Sequence, residues 1–189
     1  MQYYTAQIKT RAEERYIKLF KSRYPEIPVE IYFPKRTLDI RRKGVWVHTT
    51  RGIFPGYIFI ELAEGKNITD YQWHFRRTDG FFRFLESNQN ILALENEDLN
   101  LVLHFIKKIG PIAGKSRVYF DENSRIVVVD GPLKGLEGNI IKVDKRKGRA
   151  KIKLDLYHES FAIDLAFEYL EPAAISVNKR SHKSFVQFI

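Results

Sequence analysis

Apolar residues, many of them aromatic or β-branched, are concentrated in five short stretches in the first half of the chain. Short runs of this composition predict β-strands. The stretches are Gln2 to Ile8, Val29 to Arg36, Trp46 to His48, Phe54 to Leu62 and Phe81 to Leu85. Pro34 interrupts the second stretch and predicts an edge or a bend there, because proline cannot donate a ladder hydrogen bond.

Between these strands the spacing of apolar residues changes to that of helices. The predicted helices cover residues 10–24, 67–75 and 96–109. Thr10 and Glu13 have the spacing of a capping box, which predicts that the first helix begins at Thr10. Asn67 is the expected N-cap of the second helix, and Gly110 followed by Pro111 ends the third.

The run from Arg125 to Lys153 has a different character, with short alternating strands separated by turns that contain glycine. Gly131, Gly135 and Gly138 follow the first of these strands. Glycine at such bends lets the backbone adopt positive φ angles. The pattern predicts a small, strongly curved antiparallel sheet, such as an SH3-like barrel.

Together these elements predict an α+β chain with two domains. An antiparallel sheet with helices is expected over residues 1–111, and the small β-barrel over residues 123–171. Residues 112–122 are the expected linker. Residues 172–189 are an extension without hydrophobic periodicity.

The chain is basic, with a formal net charge of +9. Lys35 to Arg51 carries six basic residues and one acidic residue, and Lys142 to Lys153 carries seven and one. Each cluster taken singly is compatible with an ordinary solvated surface. Two such clusters in a chain of this charge favour a polyanionic partner, such as a nucleic acid.

The sequence offers little support for an enzyme. It has no cysteine, and its five histidines lack metal-ligand spacing, which argues against thiol chemistry and zinc sites. Walker A, G-x-G-x-x-G and G-x-S-x-G motifs are absent, although motif absence leaves open a nuclease built from scattered carboxylates. No apolar run is long enough to span a bilayer, and the first twenty residues lack a signal-peptide core. We therefore expect a cytoplasmic protein without cofactor or metal.

Three strings, taken in their order, resemble the NusG family of transcription factors. They are Tyr3-Tyr4 near the start, the strand that opens Phe54-Pro55-Gly56-Tyr57, and VVVDGPLKGLEG from Val127 to Gly138. The resemblance covers residues 2–171 and implies an NGN domain followed by a KOW domain. Residues 34–44 and 144–152 look like those of the LoaP group, whose members are antitermination factors for selected long operons.

The resemblance implies that the NGN domain binds the clamp helices of the largest RNA polymerase subunit through an apolar hollow. The matching positions here are Tyr4, Phe54, Pro55, Tyr57 and, less directly, Phe81. Aromatic residues of strands also pack protein cores, so a core role for Phe54 and Tyr57 stays open. The implied protein is a monomeric adaptor that suppresses pausing and termination through binding alone.

Basic positions in and near the first cluster are the expected contacts to nucleic acid, either a nascent RNA hairpin, non-template DNA or both. They are Lys35, Arg36, Arg41, Arg42, Lys43, Arg51, Arg76 and Arg77. Trp46 and His48 lie among them, and an unpaired base can stack on an aromatic ring. For Trp46 we expect packing in the core instead.

Leu156 and Tyr157 match the apolar spot by which KOW domains of the family engage Rho or a small-subunit ribosomal protein. The next residues, His158 to Ser160, depart from the Gly-Arg pair that the family has there. A ribosome-associated RNA-binding KOW protein and a housekeeping NusG-type elongation factor remain alternative functions.

Overall fold

The computed structural model describes residues 1–85, 91–157 and 159–170. They form two units, one made of residues 1–113 with 154–163, and the other of residues 114–153 with 164–170. His158 and the expected extension, residues 172–189, lie outside the described residues. The class is α+β, as the sequence predicts.

The first unit contains most of the strands and the α-helices. The strands are β1 (Gln2–Ile8), β2 (Val29–Tyr32), β3 (Lys35–Arg42), β4 (Val45–Gly52), β5 (Tyr57–Leu62), β6 (Phe81–Phe84) and β7 (Ile112–Ala113). The helices are α1 (Glu13–Arg23), α2 (Ile68–Arg76) and α3 (Asn96–Leu103), which continues into a π-helical turn at His104–Lys108.

The core of the first unit lies on a four-stranded sheet with the order β2-β5-β1-β6. Every side chain of β5 is buried, because the strand is covered on both faces. Phe20 of α1 and Phe75 of α2 stack with their ring centroids 4.3 Å apart and share a core with Ile60 on one face. On the other face Phe59 packs edge-on against Phe54.

Of the two predicted helix N-termini, one follows the local capping pattern and the other does not. Asn67 caps α2, since its side chain accepts a hydrogen bond of 3.0 Å from the Thr69 backbone N–H, as predicted. The prediction that α1 begins at Thr10 is wrong, because Arg11 has φ +69° and the helix begins at Glu13. The Glu13 carboxylate instead accepts a hydrogen bond of 2.7 Å from the backbone N–H of Gly56, which ties the start of α1 to the entrance of β5.

The predicted strand from Val29 to Arg36 is divided before Lys35 into β2 and β3, and β2 lies at the edge of its sheet, which is one of the two outcomes predicted from Pro34. Beyond it, β3 joins a second sheet with the order β4-β3-β7. The segment expected to be a linker is therefore partly ordered, since β7 pairs in parallel with β3 at Lys35 and Arg36.

The second unit is built on short strands joined by glycine turns. The strands are β8 (Ser116–Phe120), β9 (Ile126–Asp130), β10 (Ile140–Asp144), β11 (Arg149–Leu156) and β12 (Glu159–Tyr169), in the order β10-β11-β12-β8-β9. The ends of β11 and β12, residues 154–163, belong to the first unit. Gly131 follows β9 with φ +90°, and a Cβ there would lie 2.6 Å from the Ser116 Cα, so this turn requires glycine.

Among the helices of the described residues, none is long and apolar enough to cross a lipid bilayer.

Candidate nucleic-acid interface

Strands β3 and β4 form a regular hairpin, which we call the arm (residues 35–52). They pair from Lys35 opposite Gly52 to Arg42 opposite Val45. The two residues between the strands, Lys43 and Gly44, have φ angles of 48° and 84°, as a two-residue type I′ turn requires. The turn matches the twist of the strands and fixes their register, so side chains on the arm have defined neighbours.

The arm brings together six of the predicted nucleic-acid contacts. They are Lys35, Arg36, Arg41, Arg42, Lys43 and Arg51. Arg41, Arg42, Lys43 and Arg51 are exposed to solvent. The acidic residue of the arm, Asp39, contacts His48 on the opposite strand, and one carboxylate offsets little of six positive charges.

A cavity of about 900 Å³ lies between the base of the arm and the start of α1, and we call it the basic groove. Its cationic lining residues are Arg11, Arg15, Lys35, Arg36, Arg42 and Arg51. The acidic ones are Glu13, which bonds the Gly56 N–H, and Glu14, which forms an ion pair of 2.6 Å with Lys35. Cations therefore exceed anions in the groove, and a polyanion is the ligand that this charge attracts.

Arg11 and Arg15 were not predicted from the sequence. Arg11 lies just before α1 and Arg15 in its first turn, about twenty residues before the arm along the chain. Arg11 makes no ion pair with any other described residue, and Arg15 meets Asp79 at 3.7 Å with both side chains exposed. Exposed pairs of this kind contribute little to stability, which leaves both guanidinium groups available to a ligand.

Arg76 and Arg77, also predicted as nucleic-acid contacts, lie at the end of α2. Neither lines the basic groove. The backbone carbonyl of Arg77 accepts a hydrogen bond of 3.4 Å from Arg23 of α1. The structure thus does not join these two residues to the arm, and their contact with nucleic acid stays a prediction.

The prediction that Trp46 packs in the core is wrong. Its side chain is 60% exposed, because β4 is the outer strand of its sheet. Val45 and Val47 on either side of it are exposed as well.

The predicted polymerase contacts divide between the two faces of the first sheet. Tyr4 pairs with Ile60 on β5, while Tyr3 pairs with Glu61. Directly opposed residues share a face and neighbours along a strand do not, so Tyr4 lies on the face covered by helices and Tyr3 on that of Tyr57. Tyr4 also belongs to the buried helix-side core. The structure therefore does not bring Tyr4 together with Tyr57.

Phe54 and Tyr57 lie together but are covered. Phe161 packs edge-on against both rings, with centroids 5.4 Å from Phe54 and 5.6 Å from Tyr57. The Tyr57 hydroxyl donates a hydrogen bond of 2.5 Å to the Glu159 carboxylate. Burial, and then this bond to a carboxylate, raise the pKa of Tyr57. Pro55 is exposed beside them.

The fifth predicted polymerase contact, Phe81, is half-buried on β6 and packs against Phe84 at 5.1 Å. Its neighbour Phe82 is 61% exposed.

The family model described as "Transcription termination factor nusG" matches residues 1–103, which is more than half of the chain. The matched region includes the arm and the basic groove. The chain belongs to the NusG family.

Curated relatives of this NusG-family chain extend the likeness beyond the first unit. The protein "Transcription termination/antitermination protein NusG" of Rickettsia typhi is 23% identical over 176 residues, covering 90% of this chain and 89% of the relative. The protein of the same name from Escherichia coli O6:H1 is 22% identical over 146 residues, covering 76% and 78%. The solved structure "Domain interaction in Thermotoga maritima NusG" has a TM-score of 0.51 at 17% identity, covering 87% of this chain and 93% of its own. At that identity the last comparison shows the fold alone.

A polar network on the Tyr57 face of this NusG-family chain holds the end of the third helix. The buried Glu61 carboxylate accepts hydrogen bonds of 2.7 Å from Lys107 and 2.5 Å from the Tyr32 hydroxyl. Burial alone would raise the pKa of Glu61, but the bonds from Lys107, Tyr32 and Tyr3 together lower it below its ordinary value. The bond to Glu61, and then that to Tyr32, raise the pKa of Lys107. Each ionic group in the network is thus stabilised in its charged form.

The predicted partner contacts of the KOW domain, Leu156 and Tyr157, lie in the first unit. Leu156 is buried. Tyr157 is half-buried with φ +48°, and its backbone N–H donates a hydrogen bond of 3.4 Å to Asp98. Their contact with a partner protein stays a prediction.

Within residues 1–85, 91–157 and 159–170, no group of three or more histidine and acidic side chains could hold a metal ion.

Proposed function

We propose that this NusG-family chain is a processive antitermination factor that binds RNA polymerase and is recruited by an RNA hairpin. The observation that carries the proposal is the basic arm with the groove at its base. Six cationic side chains line that groove. The family, and the names of the relatives as transcription termination/antitermination proteins, support a role in transcription.

The arm supports the recruitment step. Cationic side chains that neutralise phosphates supply most of the affinity for any nucleic acid and make it depend on salt. Arg41, Arg42 and Lys43 surround the tip of the arm, and Arg11 and Arg15 extend the charge across the basic groove. A hairpin stem fits such a surface, because its backbone presents phosphates along both strands. Non-template DNA offers the same phosphates and is the competing ligand.

The polymerase contact is proposed for the surface that Phe54, Pro55 and Tyr57 form. Aromatic side chains that fill a desolvated pocket on a partner supply much of the binding energy at interfaces. Phe161 and Glu159 now cover this surface. In our proposal they leave it when the clamp helices bind, so their contacts with Phe54 and Tyr57 compete with polymerase.

The proposed mechanism needs binding energy and no chemical step. A protein that binds the elongating state of polymerase more tightly than a paused state shifts the equilibrium toward elongation by that difference. An RNA hairpin held by the arm raises the local concentration of the factor at the transcript that carries it.

Retention on beads tests the proposal. Full-length protein is immobilised and offered core RNA polymerase and, separately, ribosomes. We expect retention of polymerase, and unchanged retention when Arg41→Ala and Arg42→Ala are combined, although the same variant binds an RNA hairpin more weakly. Retention of ribosomes without polymerase would instead support a ribosome-associated RNA-binding protein, and unchanged RNA affinity would reject the role of the arm.

A further inference from the structure

The indole of Trp46 is the largest exposed apolar group on the arm. It is 60% exposed, and its neighbours Val45 and Val47 are 64% and 38% exposed. Val45 and Val47 lie on the opposite face of the strand from Trp46, because successive side chains of a strand alternate between faces. Single exposed apolar residues are common, but an exposed indole beside a cation is also what surfaces that bind single-stranded nucleic acid present. Trp46 lies at the tip of the arm, close to the Lys43-Gly44 turn.

The charges around Trp46 indicate which kind of partner covers it. Arg41 lies directly opposite Trp46 on the same face of the arm. The Nε atom of Arg41 donates a hydrogen bond of 3.1 Å to the Gly44 carbonyl, which holds the guanidinium near the tip. An apolar protein surface would leave that cation without a counter-charge, whereas a nucleotide supplies both a flat apolar ring and a phosphate.

We propose that Trp46 is a stacking platform for one unpaired nucleobase, with Arg41 at the phosphate beside it. A base within a duplex has both faces covered by its neighbours and cannot lie on an indole, so the ligand is a loop or single-stranded segment. The inference deepens the proposed function, since it assigns the tip of the arm to the loop of an RNA hairpin and leaves the stem to the basic groove.

The pairing of the hairpin preorganises the backbone position of Trp46 before a ligand binds. Strands β3 and β4 pair over eight residues each without a register shift, so the Trp46 backbone is fixed. Two residues further along the same face, the Asp39 carboxylate contacts His48, whereas the charged group directly opposite Trp46 is the Arg41 guanidinium. A tryptophan side chain has two rotatable bonds, so on a fixed backbone it loses little conformational entropy when a base stacks on it.

Intrinsic fluorescence tests the stacking directly, because Trp46 and Trp73 are the two tryptophans of the sequence. The variant Trp73→Phe leaves Trp46 as the one emitter. It is titrated with unlabelled single-stranded RNA of roughly twelve nucleotides and with a blunt duplex of the same sequence. We expect the single strand to quench the emission, with saturation at the concentration at which binding saturates, and the duplex to bind with little quenching.

The matched control is Trp46→Phe, in which Trp73 on α2 is the emitter. Its emission should change little with either RNA. The proposal is overturned if Trp46 emission is unchanged at saturating single-stranded RNA, if the duplex quenches it equally, or if neither RNA binds. It is also overturned if core polymerase without nucleic acid shifts the emission, because the arm then packs on protein.

Affinity gives a second readout. Trp46→Ala should weaken binding of the single strand roughly tenfold or more, while Trp46→Phe retains most of the affinity because a phenyl ring still stacks. Both variants should bind the duplex as the parent protein does. Equal losses for single strand and duplex would assign Trp46 a role in shaping the arm and reject stacking. Retention of polymerase by these variants keeps a failure of this inference distinct from a failure of the proposed function.

Discussion

The hydroxyl of Tyr57 donates a hydrogen bond to the carboxylate of Glu159, 102 positions further along the chain, at a distance of 2.5 Å. Phe161, two residues beyond Glu159, packs edge-on against Tyr57 and Phe54. The surface that we propose for polymerase binding is thus already covered by contacts within the chain. Any partner that takes it must first replace this hydrogen bond and these ring contacts.

Glu159→Ala should therefore increase the retention of core polymerase. The variant removes a hydrogen bond to a charged group, and such bonds contribute about 1.5–3 kcal/mol where they are shielded from water. Because Glu159 is exposed, we expect its hydrogen bond to contribute at the lower end of that energy range. The gain in polymerase affinity should therefore be up to about tenfold. Ser160→Ala, at the neighbouring exposed position, is the control. Equal retention by the two variants would show that the Tyr57–Glu159 bond does not compete with polymerase.

Lys107→Met should destabilise the fold more than Lys108→Met does. Lys107 bonds the buried Glu61 carboxylate, and its loss leaves that charge with the neutral hydroxyls of Tyr32 and Tyr3 as donors. We expect a loss of about 1–2 kcal/mol in the free energy of unfolding, moderated because the Lys107 side chain is half exposed. Urea denaturation measures it. Equal effects of the two substitutions would mean that the network does not stabilise the helix end.

Tyr16 gives the protein a predictable response to alkaline pH. Burial raises the Tyr16 pKa above its ordinary value of 10.0, and its hydroxyl donates a hydrogen bond of 2.8 Å to the Phe75 carbonyl. A raised pKa in the folded state contributes stability that is complete below pH 10.0 and is lost as pH rises toward the folded pKa. The stability difference between the parent protein and Tyr16→Phe should therefore narrow above that pH. A difference that stays constant to about pH 11 would contradict the assignment.

The basic groove predicts a specific change in the salt dependence of RNA binding. Arg11→Asn removes a charge while asparagine still tolerates the positive φ of that position, and Arg15→Gln removes a second one. Each lost phosphate contact should reduce the slope of log affinity against log salt by about one. Lys18→Gln, exposed on α1 outside the groove, is the control. A slope that changes equally for all three variants would reject the groove as a specific site.

Much of the fold could be predicted because it follows from local signals. The bounds of β1 are those expected from its aromatic-rich composition, and the Asn67 cap follows from one side chain and the backbone two residues away. Thr10 failed as a cap because the tertiary bond between Glu13 and Gly56 overrides the local pattern. Residue type alone cannot report such a contact.

The candidate site likewise combines residues that the sequence reveals with residues that only tertiary packing brings together. Clustered basic residues on the arm were visible in the sequence, since they lie on one hairpin. Arg11 and Arg15 were not, because only the packing of α1 beside the arm brings them to the groove. Tyr4 was matched to the polymerase surface by its sequence position, which does not reveal on which face of the sheet its side chain lies. Trp46 was assigned to the core because its hydrophobicity does not reveal that β4 is an outer strand.

Readthrough of a terminator is the measurement that tests antitermination recruited by an RNA hairpin. Purified core polymerase transcribes two templates that share the terminator, one with and one without an upstream sequence encoding the RNA hairpin, with and without full-length protein. We predict that the protein raises readthrough on the template with the hairpin, and that combining Arg41→Ala and Arg42→Ala abolishes the increase. Equal readthrough on the two templates, or no increase on either while the protein is retained by polymerase, would contradict this prediction.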